Sequence, residues 1–117
     1  DDAEAAWAAR ENLTREARLV DESHFDVSIL ACPRCSQRFA SVFTETIDWA
    51  DGDDPQYSTM IPLTEKESRK LASRPEHRIE ATLGKLPRDR RSLRNDFPKG
   101  GPKRIGWGKG LVVGMHD

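Results

Sequence analysis

The spacing of apolar residues predicts helices at the start and in the middle of the chain. Asp1–Val20 is rich in Ala, Glu and Arg, and its apolar residues recur at roughly helical spacing. We therefore expect an N-terminal helix or arm over residues 1–22, followed by a single domain over residues 23–117. Thr64 and Glu67 have the spacing of a capping box, which predicts a helix that runs to about Ser73.

Period-two alternation predicts strands between these helices. Phe25, Val27 and Ile29 alternate with polar residues, which is typical of a half-buried strand. The β-branched and aromatic segment Arg38–Trp49 predicts a second strand, because such residues suit a pleated surface. Alternation over residues 57–63 predicts a third strand.

The second half of the chain gives weaker patterns. Pro87–Asn95 is interpreted as a short basic helix, and alternation from Ile105 to Val113 predicts a final glycine-rich strand. The predicted fold class is α+β, with a small antiparallel sheet of three to four strands and helices on one side. A Cys-x-x-Cys knuckle is expected at a hairpin turn of this sheet.

Length and composition indicate a small, charged domain. The chain has 117 residues, of which 36% are hydrophobic and 33% are charged, so the core must be modest. No apolar run approaches a membrane span, which predicts a soluble protein without a membrane partner. Two cysteines three residues apart are not a secreted disulfide framework, which favours a reducing, cytoplasmic location.

Charge is distributed unevenly along the sequence. Residues 1–65 carry 5 basic and 14 acidic side chains, a net charge of −9, whereas residues 66–117 carry 14 and 6, a net charge of +8. Either the two halves face each other, or they present separate acidic and basic surfaces to partners.

The cysteine pair predicts a metal site. Cys-x-x-Cys in a tight turn lets two thiolates point at one ion, and turn N–H groups favour their charge. The segment CPRCSQRF, Cys32–Phe39, resembles one knuckle of the zinc-ribbon and zinc-finger families, and zinc is therefore the candidate cofactor. A second cysteine pair is absent from the sequence. His24, upstream on the strand that leads to the knuckle, is the best candidate to join Cys32 and Cys35, and His77, His116 or a carboxylate are the alternatives.

Other interpretations of the cysteines stay open. Two chains could each contribute a pair to a shared zinc in a homodimer, an arrangement similar to the zinc hook of DNA-repair coiled coils. A strand followed by Cys-Pro-x-Cys also resembles the glutaredoxin-like redox proteins, with Pro62, after Met60 and Ile61, in the place of their cis-proline. That resemblance implies a long helix directly after the cysteines. The simplest alternative is two reduced structural thiols.

An acidic aromatic segment follows the second predicted strand. Its candidate partner-binding residues are Asp48, Trp49, Asp51, Asp53, Asp54 and Tyr57. Carboxylates beside aromatic rings suit a partner protein with a basic surface, because the rings can anchor and the charges steer the approach. The alternative is a solvated hairpin loop whose Trp49 points into the core.

The basic second half suggests an alternative partner, nucleic acid. The candidate phosphate-binding or nucleic-acid-binding residues are Arg90, Arg91, Arg94, Lys99, Lys103, Arg104 and Trp107. Guanidinium groups bind phosphates, and an aromatic ring can stack on a base. The competing interpretation is that these cations pair with the acidic half.

A catalytic constellation is not evident in the sequence, and we expect no enzymatic activity and assign no catalytic residues. The function that the patterns favour is a small interaction protein, of the inhibitor, immunity or adaptor type, that engages a partner through the acidic aromatic loop. A nucleic-acid-associated module and a dithiol redox protein are the alternatives.

Overall fold

The computed structural model of the protein describes residues 2–111 and 113. In this part of the chain, six strands form one antiparallel sheet in which each strand pairs with its neighbours in sequence. The strands are β1 (Thr14–Glu22), β2 (Phe25–Ala31), β3 (Arg38–Glu45), β4 (Gln56–Leu63), β5 (Arg91–Phe97) and β6 (Arg104–Lys109). The helices are α1 (Ala3–Ala9), α2 (Glu65–Ser73) and α3 (Ile79–Leu83), with 3₁₀ turns at Arg10–Asn12 and Glu76–Arg78. None of the helices described is long and apolar enough to cross a membrane.

The prediction of three to four strands is wrong, although the α+β class is compatible with the structure. One cause is β1, which occupies the second half of the predicted N-terminal helix. The helix propensity of its residues is outweighed by strand pairing, because Val20 pairs with Val27 and becomes almost completely buried. Two register irregularities in the β1–β2 pairing keep the inward positions of β1 aligned with those of β2.

The other cause is β5, where a basic helix was expected. Ser92 and Leu93 are 1% and 2% exposed, although they are adjacent in sequence. Neighbouring residues of a strand point to opposite faces, so both can be buried only in a sheet that is covered on both sides. β2, β3, β4 and β6 overlap segments that were predicted to be strands, although β3 ends at Glu45 and β6 at Lys109, before the predicted ends. β1 and β5 lack a clear pattern.

Helices cover both faces of the sheet, so the expectation of helices on one side is also wrong. On the first face, α2 and α3 pack against a core that contains Val27, Val42, Ile61, Leu71 and Ile79. On the second face, α1 contacts β5 and β6 and closes a smaller core of Ala3, Leu30, Met60 and Leu93. Each face thus has its own apolar cluster.

The predicted capping box at the start of α2 is confirmed. The Thr64 hydroxyl accepts from the Glu67 N–H at 3.1 Å, and the Glu67 carboxylate accepts from the Thr64 N–H at 2.9 Å. Arg90 donates to both carboxylate oxygens of Glu67, at 2.6 and 3.0 Å, and to the Pro62 carbonyl at 2.9 Å. Glu67 therefore joins the start of α2 to the segment that leads into β5.

We expect Glu67→Gln to lower the free energy of unfolding by about 1–2 kcal/mol, because the amide can still cap the helix but loses the charged pair with Arg90. Arg90 holds the pKa of the Glu67 carboxyl below its usual range. Its stabilising effect is therefore present above the ordinary Glu pKa and is lost as pH falls through the lowered value. In urea denaturation at decreasing acidic pH, the free energies of unfolding of the wild-type and Glu67→Gln proteins should therefore converge.

Glu65→Gln is the matched control, since it removes one charge from the same helix turn. Glu65 pairs with Arg69 on the exposed face of α2, and such pairs contribute at most about 0.5 kcal/mol. Equal losses for the two variants would contradict the role assigned to the Glu67–Arg90 pair.

Candidate functional site

The β3–β4 loop, residues 46–55, is built around Asp48. The Asp48 carboxylate accepts from the N–H groups of Ala50 and Asp51, at 3.2 and 3.1 Å. The Gly52 N–H donates to the Asp48 carbonyl at 2.9 Å, and Gly52 adopts a φ of 70°, which glycine tolerates. Asp54 closes the other side, where its carboxylate accepts from the Asp48 N–H at 2.7 Å. Aspartate side chains thus fold this loop upon itself.

Lys99 fastens this loop to the loop between β5 and β6. Its ammonium lies 2.9 Å from an oxygen of Asp48 and 3.2 Å from an oxygen of Asp51. The Gly100 N–H donates to the Asp53 carboxylate at 2.7 Å. Lys99 lowers the pKa of Asp48, with help from the N–H of Asp51, and the two aspartates raise the pKa of Lys99. Here the acidic and basic halves of the sequence do face each other.

The clamped loop presents Trp49 to solvent. The Trp49 residue is 86% exposed, so the interpretation in which its ring points into the core is wrong. Asp51 and Asp53 are also exposed, whereas Asp54 is half-buried. Tyr57 lies apart from the tip, half-buried near the start of β4 and paired with Thr44 and Asp96 in the sheet. The structure therefore brings the four aspartates and Trp49 together and leaves Tyr57 in the sheet.

The cysteine pair lies in the turn between β2 and β3. The Cys32 N–H donates to the Gln37 carbonyl and the Ser36 N–H to the Cys32 carbonyl, both at 2.9 Å, and Ser36 adopts a φ of 64°. Both thiols are free, and Cys35 is exposed. The N–H groups of Cys35 and Arg34 lower the pKa of Cys32, because they favour the thiolate.

The structure does not bring His24 to these cysteines. His24 precedes β2 and Cys32 follows it, and eight extended steps place them about 26 Å apart. The His24 ring instead bonds the Glu45 carboxylate at 3.0 Å. Within residues 2–111 and 113, no group of three or more His, Cys, Asp or Glu side chains could hold a metal ion. His116 lies outside the described residues, and a zinc ion shared between two chains stays a prediction.

The segment after the cysteines differs from the one that the resemblance to glutaredoxin-like redox proteins implies. β3 begins at Arg38, directly after the turn, so the long helix implied by the glutaredoxin-like resemblance does not follow. Pro62 pairs with Phe39 near the end of β4 in the antiparallel sheet. The architecture around Cys32 and Cys35 is therefore not that of a glutaredoxin-like protein.

The cations of the second half do not form one surface. Arg90 pairs with Glu67, Arg94 lies 3.5 Å from Asp96, and Lys99 belongs to the loop clamp. Lys103 lies 5.3 Å from the centre of the Phe97 ring, and Arg104 is exposed opposite Asp96. Strand alternation also places Arg94 and Arg104 on the first face.

Arg91 and Trp107 lie on the second face and contact each other. The Arg91 guanidinium lies 4.0 Å from the centre of the Trp107 ring, which is a cation–π contact. They border an apolar groove beside α1 that the sequence analysis missed. The hydrophobic floor of this groove is drawn from three strands and could not be assembled before the strand order was known.

Comparisons with known proteins give no relative: the chain matches no family model, no curated protein and no solved structure.

We expect Lys99→Met to loosen the β3–β4 loop. Asp48 and Asp51 would then repel each other without a cation between them, and the amides of Ala50, Asp51 and Gly52 should exchange with solvent severalfold faster. The lowered pKa of Asp48 means that its part in the clamp is lost as pH falls through that value. The raised pKa of Lys99 means that its part is lost as pH rises through that value. The difference in loop amide exchange between the wild-type and Lys99→Met proteins should be largest between about pH 4 and 10.

Lys103→Met is the control for this measurement, because it removes the same charge from the same β5–β6 loop but leaves Asp48 and Asp51 paired. The exchange rates are measured by NMR. The clamp would be contradicted if Lys103→Met accelerated amide exchange in the β3–β4 loop as much as Lys99→Met does.

We expect Cys32 to titrate below the ordinary thiol pKa of about 8.5, because the turn N–H groups favour its thiolate. The Cys35→Ala variant isolates this thiol and keeps the backbone donors. The pH midpoint of its alkylation by iodoacetamide should be lower in the folded protein than in urea. Coincident midpoints would show that the turn does not favour the thiolate.

Proposed function

We propose that this protein is a small non-enzymatic protein-interaction module that engages a basic surface of its partner through the β3–β4 loop, with Trp49 as the anchor. The observation that carries the proposal is the 86% exposure of Trp49 on a loop fixed from both sides. Tryptophan is enriched among the residues that dominate binding at protein interfaces. A large ring held in solvent by an ordered loop is suited to that role.

The order of the loop supports this function. Binding through a flexible loop loses affinity, since the loop must be ordered when the complex forms. Here Asp48 and Asp54 fix the loop internally, and Lys99 and Gly100 fasten it to its neighbour. The backbone that carries Trp49 is consequently ordered before a partner arrives.

The charge of the loop indicates the kind of partner. Four aspartates and the single Lys99 leave a net charge of −3, and the Asp51 side chain is 66% exposed. A basic surface would be steered towards this loop and would meet Asp51 and Asp53 around the Trp49 ring. The aspartates thus have two roles. Asp48 and Asp54 order the loop through hydrogen bonds within it, and Asp51 and Asp53 supply the exposed negative charge.

The internal contacts of the cations weigh against the nucleic-acid alternative, which stays a prediction. Arg90, Arg94 and Lys99 already have carboxylate partners. A nucleic-acid surface would need these groups free to neutralise phosphates.

We expect Trp49→Ala to weaken partner binding about 30-fold or more, because truncating an anchor residue costs about 2 kcal/mol or more. The partner is first captured by a photo-crosslinking phenylalanine derivative at position 49 and identified by mass spectrometry. Its affinity for purified wild-type and variant proteins is then measured by calorimetry.

Two controls make the experiment decisive. A crosslinker at position 85, exposed just after α3, should not capture the same protein. Trp107→Ala should leave the affinity within about threefold, since Trp107 borders the groove on the second face and lies outside the loop. Capture that is equal at positions 49 and 85, or an affinity that is unchanged by Trp49→Ala, would overturn the proposal.

A further inference from the structure

A basic cavity lies between α2 and α3, on the exposed side of the helices that cover the first face. Its volume is about 510 Å³, which is within the range of small-molecule sites. Arg74 follows α2, Arg78 precedes α3 and Lys85 follows α3 by one residue, and all three line the cavity. The other lining residues are Pro75, His77, Ala81 and Thr82. The lining residues described here therefore include three cations and no carboxylate.

The basic surface continues along α2. A smaller cavity of about 180 Å³ shares Thr82 and Lys85 with the first and is bordered by Lys66 and Lys70. Lys66 and Arg74 are eight residues apart, which corresponds to about 12 Å along a helix. The two cavities together, the α2–α3 trough, thus have cations of α2 along one side and cations that flank α3 along the other.

The cations of the α2–α3 trough are exposed and are not used in ion pairs. Among the residues that the structure describes, the ion pairs include none of the five: Lys66, Lys70, Arg74, Arg78 and Lys85. Glu67 borders the smaller cavity, but both of its oxygens are bound by Arg90. Glu76 is hydrogen-bonded to Glu22 at the end of β1, which raises the pKa of Glu76. The trough therefore concentrates positive charge at the surface.

Helix stability does not account for this whole set of cations. Lys70 and Arg74, at the end of α2, are favourably placed with respect to the helix dipole. Lys66 and Lys70, however, are four residues apart in α2, and like charges at that spacing destabilise a helix. Arg78 is the residue directly before α3, at the end of the helix where the dipole disfavours a cation.

We propose that the α2–α3 trough binds a short chain of linked phosphate groups. The guanidinium groups of Arg74 and Arg78 offer paired N–H donors that match phosphate oxygens, and Lys85 adds a third positive charge in the same cavity. At roughly 30 Å³ for each water-sized group, the larger cavity has room for about 17 non-hydrogen atoms, whereas tripolyphosphate has thirteen.

This site is separate from the loop that carries Trp49. That loop precedes β4 and α2 follows it, and the length of β4 places the two about 25 Å apart. The phosphate site therefore does not depend on the function proposed for the β3–β4 loop.

The lining of the trough favours a phosphate chain over other anions. A single-stranded nucleic acid would leave its bases unstacked, because none of the lining residues described is a Phe, Tyr or Trp. An acidic peptide offers one charge for each carboxylate, whereas a terminal phosphate carries up to about two. A short phosphate chain brings the most negative charge into the least volume. The same chain occurs free and as the tail of a nucleoside triphosphate.

The test measures binding to the full chain by isothermal titration calorimetry in about 50 mM NaCl. Tripolyphosphate should bind with a Kd below about 1 mM, and about 200 mM NaCl should weaken it severalfold, because salt screens exposed charges. Adenosine should not bind. A thymidine tetranucleotide, whose three phosphates are separated by sugars, should bind at least tenfold more weakly. ATP distinguishes the sources: affinity equal to that of tripolyphosphate identifies a free chain, and affinity more than about tenfold higher identifies a nucleotide.

Variants with matched controls locate the site. Arg78→Gln should weaken tripolyphosphate about tenfold or more, because hydrogen bonds to charged groups are the strong ones. Arg69→Gln removes the same charge from α2 on the side where Arg69 pairs with Glu65, and should change the affinity less than about threefold. Ala81→Glu places a carboxylate in the cavity at an exposed position and should abolish binding. Ala72→Glu adds the same charge at an exposed position of α2 outside the trough and should have little effect.

Three results would each overturn the proposal. They are the absence of saturable tripolyphosphate binding by about 1 mM, a tetranucleotide that binds as tightly, and equal effects of a trough variant and its control. If Arg78→Gln does not fold, as judged by circular dichroism, the comparison of Ala81→Glu with Ala72→Glu decides. Trp49→Ala should leave the affinity for tripolyphosphate unchanged, so failure of the loop proposal and failure of this one are distinguishable.

Discussion

The structure depends on one constraint: its antiparallel sheet is apolar on both faces, and each face must be covered. The first face receives α2 and α3, which come from one continuous segment and bury Leu71, Ile79 and Leu83 almost completely. The second face has only α1, which closes a cluster around Leu30, Met60 and Leu93. The first face therefore supplies most of the hydrophobic stabilisation. The second face has less cover, and an apolar groove remains open there beside α1.

Polar contacts decide how the connecting segments are placed once the sheet is formed. Glu67 caps α2 and also binds Arg90, so the start of α2 is held against the residue that precedes β5. Lys99 has the same function at the opposite end of the sheet, where it holds the β3–β4 loop against the β5–β6 loop. The two contacts differ in what they join: Arg90 and Glu67 connect α2 to the chain before β5, whereas Lys99, 53% exposed, and Asp48, 8% exposed, connect two loops. The first therefore contributes to global stability, and the second mainly to the order of a surface loop.

Sequence patterns were sufficient where one strong local signal decided the structure. Alternation identified β2 and β4, and the Thr64–Glu67 spacing identified the start of α2, because these signals arise from a few adjacent residues. β1 and β5 were missed because their pairing partners decide their conformation: Val20 and Leu93 are buried only by distant segments. The same reason applies to the candidate sites. The aspartates around Trp49 were evident from composition, but their bonds to Lys99 and Gly100, about fifty residues away, required the strand order.

The uneven charge of the chain has a local explanation in the fold. The acidic first half and the basic second half meet at Lys99, yet the loop keeps more aspartates than this one cation can neutralise. The surplus negative charge is consequently concentrated around Trp49. On the second face, Arg10 and Arg91 lie over the rings of Trp7 and Trp107, and the ion pairs among the described residues include neither arginine. The fold therefore uses part of the charge difference between the two halves in one clamp and leaves the rest at the surface.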